Sequence, residues 1–209
     1  IASRMSTAAP PHDVLTEVVE FATAVIKCDS CFVYLVENDE LVLRASSNPH
    51  PEAVDRLKLK MGQGITGWVA RHREPVTVAQ NASDDPRFRW FHELPEDRFE
   101  AFLSVPVVSR GRVMGVINVQ SRTPHTYSKR EISLLSTLGF LAGAEIEMAR
   151  LQIENADLSD QLETRKVLER AKGILQRELG ISEEDAYLVL QRQSRQRRKS
   201  MKEVAEAIV

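Results

Sequence analysis

The stretch AFLSVPVVSRGRVMGVINVQS, residues 101–121, determines the fold of the N-terminal part of the chain. Two runs rich in β-branched residues, 101–109 and 112–121, are separated by Arg110 and Gly111. Two such runs joined by a short turn that contains glycine are typical of a β-hairpin. We therefore predict two neighbouring antiparallel strands in this stretch.

Three more strands are predicted on the N-terminal side of this hairpin. SCFVYLVE (30–37) and LVLRASS (41–47) form a second hairpin around NDE, and VTVA (76–79) adds a fifth strand. Apolar residues at helical spacing predict an opening helix with one buried face, formed by Val14, Val18, Phe21, Ala22 and Val25. Short helices are expected around 51–57 and 65–72. The fold class is α+β, an antiparallel sheet flanked by helices that we expect on one side.

The pattern changes after Ser128, which with Glu131 predicts a helix N-terminus stabilised by a capping box. The helical pattern then continues over 129–179, as one helix or as two joined end to end. Its apolar residues alternate spacings of three and four, which is the pattern of a coiled coil. The repeat consists of Leu134, Thr137, Leu141, Ala144, Met148, Leu151, Asn155, Leu158 and Leu162. We predict a coiled-coil helix over 129–162 and a homodimer, parallel because an asparagine occupies one core position; the alternative is packing of this helix on its own sheet.

The C-terminal segment predicts a small three-helix core. Gly180 ends the long helix, since glycine is the residue favoured just after a helix C-terminus. The pairs Ser182 with Asp185 and Ser200 with Glu203 predict the N-termini of two further helices. The apolar residues of the three segments are numerous enough to bury a common interior.

A basic run, RQSRQRRKSMK (192–202), holds six basic and no acidic residues, although the net charge of the chain is only −2. Such a run is either a solvated surface or a nucleic-acid contact.

No motif indicates catalysis. GQGITG (62–67) matches the dinucleotide fingerprint, but the helix after it is too short for a crossover. Cys28 and Cys31 lack the second pair of a zinc site and the helix N-terminus that activates a thiolate, so we predict no metal and no enzyme activity.

Aromatic residues are concentrated in FRWFHELPEDRF, residues 88–99. Phe88, Trp90, Phe91 and Phe99 either line a pocket for a small molecule or form a satellite core under a loop. These aromatic residues do not indicate which cofactor or ligand, if any, would bind. No apolar run approaches the roughly 18 residues of a transmembrane helix, and no signal peptide is readable, so we expect a cytoplasmic protein without a membrane partner.

Residues 11–148 resemble a GAF domain. Three motifs follow one another in the order of that family, CDSCFVYLVE, KMGQGITGWVARHREPVTVAQNASDDPRF and FLSVPVVSRGRVMGVINVQSRTPHTYSKREISLL. The resemblance implies a sensor domain built on an antiparallel sheet. It also implies a pocket for a small molecule, whose identity varies among members of the family.

Residues 157–209 resemble an ANTAR domain, the all-α three-helix RNA-binding module of bacterial antitermination regulators, through AKGIL, SEEDAY and VAEAIV. The resemblance implies a dimer that binds hairpins in leader transcripts, so that the terminator does not form and transcription continues. It gives an RNA-binding role to Ala171, Lys172, Gly173, Tyr187, Arg192, Ser194 and Arg197. For Tyr187 the alternative is a core aromatic. Gly173 costs about 1 kcal/mol inside a helix, either for close approach of RNA or for close packing of another helix.

The preferred function is therefore a transcription antitermination regulator in which a GAF domain controls an ANTAR domain. The alternative is a non-catalytic, ligand-binding GAF scaffold that acts through protein partners. A methionine sulfoxide reductase that uses Cys28 or Cys31 is the least supported hypothesis, since such an enzyme would not need the C-terminal helices.

Overall fold

The computed structural model describes residues 12–91 and 94–209 of the 209-residue chain. The chain divides into an N-terminal unit that ends at Leu151 and a C-terminal unit that begins at Gln152. One long helix contributes residues to both units. Residue 11, where we predict the first domain to begin, lies outside the described residues.

The N-terminal unit is built around one six-stranded antiparallel sheet with the strand order β3-β2-β1-β6-β5-β4. Its elements are α1 (His12–Ile26), β1 (Ser30–Glu37), β2 (Glu40–Ser46), β3 (Lys58–Lys60), α2 (Gly64–His72), β4 (Val76–Val78), β5 (Ala101–Ser109), β6 (Arg112–Ser121) and the first part of α3 (Lys129–Leu179). The five predicted strands are confirmed. Strand β3 was missed because its one apolar residue, Leu59, is flanked by two lysines, which are uncommon in strands. The helix expected at 51–57 is a series of turns.

Both faces of the sheet are buried, so the expectation that all helices lie on one side is wrong. Successive residues of a strand point to opposite faces. Val33 and Leu35 join the core that also contains residues of α1 and α3. Phe32 and Tyr34 join a second core that contains residues of α2. Because both sets of β1 side chains are apolar, helices must pack against each face of the sheet to bury them.

Helix α1 packs on the sheet through a strip formed by Leu15, Val18, Ala22 and Ile26. The spacing of these residues is that of one face of an amphipathic helix. Phe21, which the sequence places on the buried face, is 55% exposed. It lies beside the strip rather than on it, because it directly precedes Ala22.

Helix α3 approaches the backbone of β5 closely, which explains two glycines near the start of the helix. A Cβ atom added at Gly143 would lie 2.5 Å from the carbonyl oxygen of Val108, and one at Gly139 would lie 2.8 Å from that of Pro106. Only residues without a side chain allow this approach. The alternative of packing on the sheet is therefore realised for this part of the helix.

An 18-residue stretch of α3 meets the length and composition criteria for crossing a membrane, and 33% of it is buried within the protein. The sequence predicts no such segment. One helix of this kind is weak evidence, because the core helix of a water-soluble domain passes the same test. Leu135, Ala142 and Ile146 of α3 do belong to the core beneath the sheet.

The C-terminal unit consists of the rest of α3, α4 (Glu183–Arg197) and α5 (Met201–Glu206). The predicted caps are formed: Ser182 Oγ accepts a hydrogen bond from the Asp185 N–H, and Ser200 forms a reciprocal capping box with Glu203. The same device opens α3, where Ser128 N–H donates to Glu131. The buried core of the unit is Ala171, Leu190, Val204 and Ala205.

Candidate nucleic-acid interface and ligand pocket

A group of free cations lies at the end of α4 and in the turn that follows it. Its members are all exposed, and none forms a salt bridge with a described residue: Arg192, Arg195, Arg197, Arg198 and Lys199. We call these five residues the cationic turn. Lys202, the last cation of the basic run, is instead paired with Asp160 at 2.5 Å. The cationic turn therefore carries positive charge without a salt bridge to a described residue, although Lys199 is near enough to Glu203 to help lower the pKa of that carboxylate.

Ser194 fixes the backbone of the cationic turn. Its Oγ donates to the carbonyl oxygen of Lys199 at 2.6 Å, and the Lys199 N–H donates to the Ser194 carbonyl oxygen at 3.1 Å. Arg198 ends the helix with a left-handed backbone, φ +53°. The hydroxyl hydrogen of Ser194 is thus used within the chain, and Ser194 positions the cations around it.

Tyr187 is 48% exposed, so the alternative that it is a core aromatic is wrong. Tyr187 and Arg192 are five residues apart, which separates them by about 140° around an α-helix. Tyr187 lies on the same strip of α4 as Ser194, whereas Arg192 lies on the strip of Arg195. The predicted residues of α4 are therefore spread around the helix rather than gathered on one strip.

Ala171 and Lys172 are not free surface residues. Ala171 is 0% exposed and packs in the core of the unit, so its side chain cannot make the RNA contact that the resemblance implies. Lys172 Nζ donates to Glu183 at 2.7 Å and lies 2.9 Å from Glu169. These two carboxylates raise the pKa of Lys172, Glu183 contributing most. Lys172 would have to exchange both partners to bind a phosphate.

Gly173 is exposed, and a Cβ atom added there would meet no heavy atom within 4 Å. Close packing of another helix of the chain therefore does not explain this glycine. It lies two residues after buried Ala171, about 200° around the helix. The open surface at Gly173 consequently faces away from the core of the unit.

A cavity lies in the N-terminal unit, against the sheet face that carries Phe32 and Tyr34. Phe88 and Phe91, two of the four predicted aromatics, line it. For water-sized spheres the cavity offers about 30 Å³, roughly twice what a single water needs. Gly64, at the start of α2, also lines it.

The other two predicted aromatics lie outside this cavity. Trp90 packs edge-on against Phe88, with ring centres 5.4 Å apart, and is 46% exposed. Phe99 stacks under the guanidinium of Arg122 at 5.5 Å. Clustering in sequence does not bring all four rings to one site, because the short 3₁₀ helix Pro95–Arg98 separates Phe99 from the others.

Two buried carboxylates that sequence reasoning missed also line the cavity. Glu96 is 3% exposed and Asp97 is 6% exposed. The Oε1 atom of Glu96 accepts from Asn48 Nδ2 at 2.7 Å and lies 2.8 Å from His50 Nε2. Burial alone would raise the pKa of Glu96, but these hydrogen bonds outweigh it and the pKa is lowered. Glu96 is therefore ionised at neutral pH.

Strand β6 contributes two amides to the same cavity. Asn118 is satisfied, since its Oδ1 accepts from Ser104 at 2.7 Å and its Nδ2 donates to Thr66 at 2.8 Å. The Oε1 of Gln120 and the Oε2 of Glu96 accept no hydrogen bond from a described residue. One indication of this polar wall was present in the sequence, since Asn118 and Gln120 are two residues apart and therefore lie on the same face of a mainly apolar strand.

The two cysteines show no activated thiol. Cys31 is fully buried, and burial raises the pKa of Cys28 to about 11. A nucleophilic cysteine needs a lowered pKa. Among the described residues, no group of three or more His, Cys, Asp or Glu is placed to hold a metal.

Comparison with known proteins assigns both units. The GAF domain family matches residues 8–147, and the ANTAR domain family matches residues 156–209. The chain belongs to the GAF domain family and carries a C-terminal ANTAR domain. The GAF domain of a phosphoenolpyruvate-protein phosphotransferase from Acinetobacter has the same fold, with a TM-score of 0.61 and 32% identity over 71% of this chain and 89% of that one.

Relatives of this GAF–ANTAR protein match parts of the chain. A Mycobacterium tuberculosis protein named transcriptional regulatory protein PdtaR is 49% identical over 63 residues, 30% of this chain and 31% of its own length. An Escherichia coli protein of the phosphoenolpyruvate-dependent phosphotransferase system is 29% identical over 72% of this chain. The chain spans only 20% of the length of that relative.

Enzymes also share the GAF fold. A free methionine-R-sulfoxide reductase from Neisseria meningitidis, solved with its substrate, matches with a TM-score of 0.55 and 20% identity over 68% of this chain and 82% of that one. At this identity the likeness concerns the fold alone.

Proposed function

We propose that this GAF–ANTAR protein is a cytoplasmic bacterial transcription antitermination regulator that binds hairpin RNA under the control of a small molecule. The ANTAR match and the relative named as a transcriptional regulator support a role in transcription. The observation that carries the RNA part of the proposal is the cationic turn, whose five cations have no salt bridge to a described residue.

The chemistry of the cationic turn suits RNA. Arginine and lysine supply the phosphate contacts that dominate affinity for nucleic acids. Hairpin loops expose unstacked bases, which proteins read by stacking on aromatic rings or guanidinium planes and by hydrogen bonds to base edges. Tyr187 offers an exposed ring, and Arg192 and Arg195 offer guanidinium groups on another side of α4.

The proposed dimer rests on the exposed apolar face of α3. Large apolar side chains at the heptad positions remain exposed in both units: Leu134, Leu141, Met148, Leu151, Leu158 and Leu162. A strip of this spacing is buried when a second copy of the helix packs against it. A dimer would present two ANTAR units, which fits a target with two hairpins.

Ligand control is proposed through the helix that the two units share. Near its start, α3 contacts the backbone of β5 at Gly139 and Gly143. The cavity lies on the opposite face of the same sheet and is lined by Phe102 of β5. A ligand that changes the position of β5 would therefore change the packing of α3 and, with it, the dimer.

The protein is proposed to be non-catalytic. Cys28 has a raised pKa and Cys31 is buried, so neither thiol has the properties of the nucleophile that a reductase needs. The cationic turn of the C-terminal unit and the cavity of the N-terminal unit each have the properties of a binding site.

The proposal is tested by fluorescence anisotropy with a labelled two-hairpin RNA, between about 50 and 300 mM salt. The variant Arg195→Gln, Arg198→Gln, Lys199→Gln removes three cations of the turn. A matched control, Lys60→Gln, Arg112→Gln and Arg130→Gln, removes three exposed cations of the N-terminal unit. We expect the triple variant to bind weakly and to have a salt slope smaller by about 0.7–0.9 for each phosphate that the protein no longer neutralises. The control should bind like the parent protein.

If the parent protein binds no RNA at about 50 mM salt, the RNA function is wrong and the alternative, a scaffold for protein partners, takes its place. Equal weakening in the triple variant and the control would show that binding does not depend on the cationic turn.

A further inference from the structure

One oxygen of Glu96 is left unsatisfied inside the cavity. The side chain is 3% exposed, and its Oε2 accepts no hydrogen bond from a described residue, whereas Oε1 has Asn48 and His50 as partners. A buried ionised oxygen without a donor is unfavourable. The cavity therefore favours a molecule that brings a hydrogen-bond donor to Oε2.

A second unsatisfied acceptor, Gln120 Oε1, belongs to a residue that lines the same cavity. Gln120 of β6 is the direct cross-strand partner of Ser30 in β1. The Ser30 hydroxyl in turn donates to Glu96 Oε1 at 3.4 Å. Cross-strand partners have Cβ atoms about 5 Å apart, so the Gln120 side chain begins beside Ser30, and it lines the same cavity as Glu96. Two acceptors that face one space suit a ligand group with several N–H donors.

Two carboxylates give this wall of the cavity negative charge, whereas the cation among the described lining residues, Arg89, lies over the Phe91 ring at 5.8 Å. Asp97, buried and adjacent to Glu96 in the chain, lines the same cavity. Burial raises the pKa of the nearby Tyr34 phenol above its usual range, and the charges of Asp97 and Glu96 raise it further. A cation in the cavity would compensate charge that the fold has buried.

The rest of the lining is largely apolar, with leucine and isoleucine side chains beside several aromatic rings. Rings of Phe32, Tyr34, Phe88, Phe91 and Phe102 line the cavity. Organic cations are attracted to aromatic faces, and their carbon chains are buried favourably against them. The combination of carboxylate, amide oxygen and aromatic rings suits an organic ammonium group, with both charge and apolar contact.

We propose that the GAF pocket binds a small aliphatic primary amine in its protonated form. The –NH₃⁺ group donates to Glu96 Oε2 and Gln120 Oε1, and the carbon chain lies against Phe32 and Tyr34. The cavity has room for about two water molecules and therefore for an ammonium head group. This assignment rests on the proposed function in one respect, that the cavity is the sensor site.

The experiment titrates the full chain with n-propylammonium, followed by isothermal calorimetry and by tryptophan fluorescence, since Trp90 packs on Phe88 of the pocket. Three probes of similar shape are compared: trimethylpropylammonium has the charge without N–H donors, 1-propanol has no charge, and propionate has the opposite charge. We expect n-propylammonium to bind at least about tenfold more tightly than each of them, the scale of one charge-assisted hydrogen bond.

Two variants locate the contact. Glu96→Gln keeps the shape and removes the charge, and it should weaken binding of n-propylammonium by about tenfold or more. Glu52→Gln is the matched control, because the Glu52 side chain is 90% exposed, and it should bind like the parent chain. Gln120→Leu should weaken binding several-fold. If thermal unfolding shows that Glu96→Gln does not fold, Gln120→Leu is the variant that tests the contact.

Equal binding of 1-propanol and n-propylammonium would overturn the assignment, as would undiminished binding by a folded Glu96→Gln variant. The RNA assay is independent of this one. If the chain binds the amine but no RNA, the proposed function is wrong and the ligand class is supported. If the chain binds RNA but no amine, the ligand class is wrong and the proposed function is supported.

Discussion

Replacement of Gly173 by alanine separates the stability of the ANTAR unit from its contact with RNA. Gly173 lies inside α3, where glycine is about 1 kcal/mol less favourable than alanine. The added methyl group would meet no heavy atom of the chain within 4 Å, so no steric penalty reduces this gain. The substitution should therefore raise the free energy of unfolding by up to about 1 kcal/mol.

For a domain of this size, about 1 kcal/mol corresponds to a rise in melting temperature of roughly 4–8 °C. Calorimetry at a fixed protein concentration measures this rise, because the stability of a dimer depends on concentration. If the RNA approaches the exposed surface at Gly173, the methyl group occupies part of that contact. An overpacking cost of about 1–3 kcal/mol predicts a decrease in affinity of about fivefold to about 140-fold.

The matched control is Gln161→Ala, an exposed residue of the same helix that is not among the proposed contacts. It should change neither the melting temperature nor the RNA affinity appreciably. A Gly173→Ala variant that is more stable and binds RNA as tightly as the parent protein would refute the contact. Sedimentation of both variants checks that the dimer is unchanged.

Three further substitutions and measurements test other parts of the structure. Gly143→Ala should lower the stability by about 1–3 kcal/mol, because its Cβ would lie 2.5 Å from the Val108 carbonyl oxygen; an unchanged melting temperature would contradict the packing of α3 on β5. Asn155→Leu should strengthen the dimer and loosen its register or oligomeric state, since the polar core position is removed; a monomeric parent protein in analytical ultracentrifugation would contradict the coiled coil. Alkylation of Cys28 by iodoacetamide should be slow at pH 7 and accelerate until the pH nears the thiol pKa of about 11; rapid reaction at pH 7 would show an activated thiolate.

Local patterns of the sequence predict the elements of the fold well. The hairpin of β5 and β6 and the caps at Ser128, Ser182 and Ser200 are local features, each determined by residues a few positions apart. The second helix layer was missed because the two apolar faces of β1 read as one continuous run, which is equally compatible with cover on a single side.

The site was less predictable because it depends on tertiary contacts. Ala171 belongs to a motif that suggests RNA contact, yet its burial is decided by packing against α4 and α5. Glu96 stands in a polar turn in the sequence, and only the fold places it against Asn48 and His50. The positive charge of the cationic turn could be predicted from the sequence, since no acidic residue lies within the basic run.

The RNA function is tested most sharply by comparing three RNAs of equal length with the full chain at about 150 mM salt, where non-specific binding is weak. One RNA has two hairpins, one has a single hairpin and one is unstructured. We expect the two-hairpin RNA to bind most tightly, to a dimer, and this preference to disappear when the cationic turn is neutralised. Equal affinity for all three RNAs, or binding by the monomer alone, would contradict the proposed function.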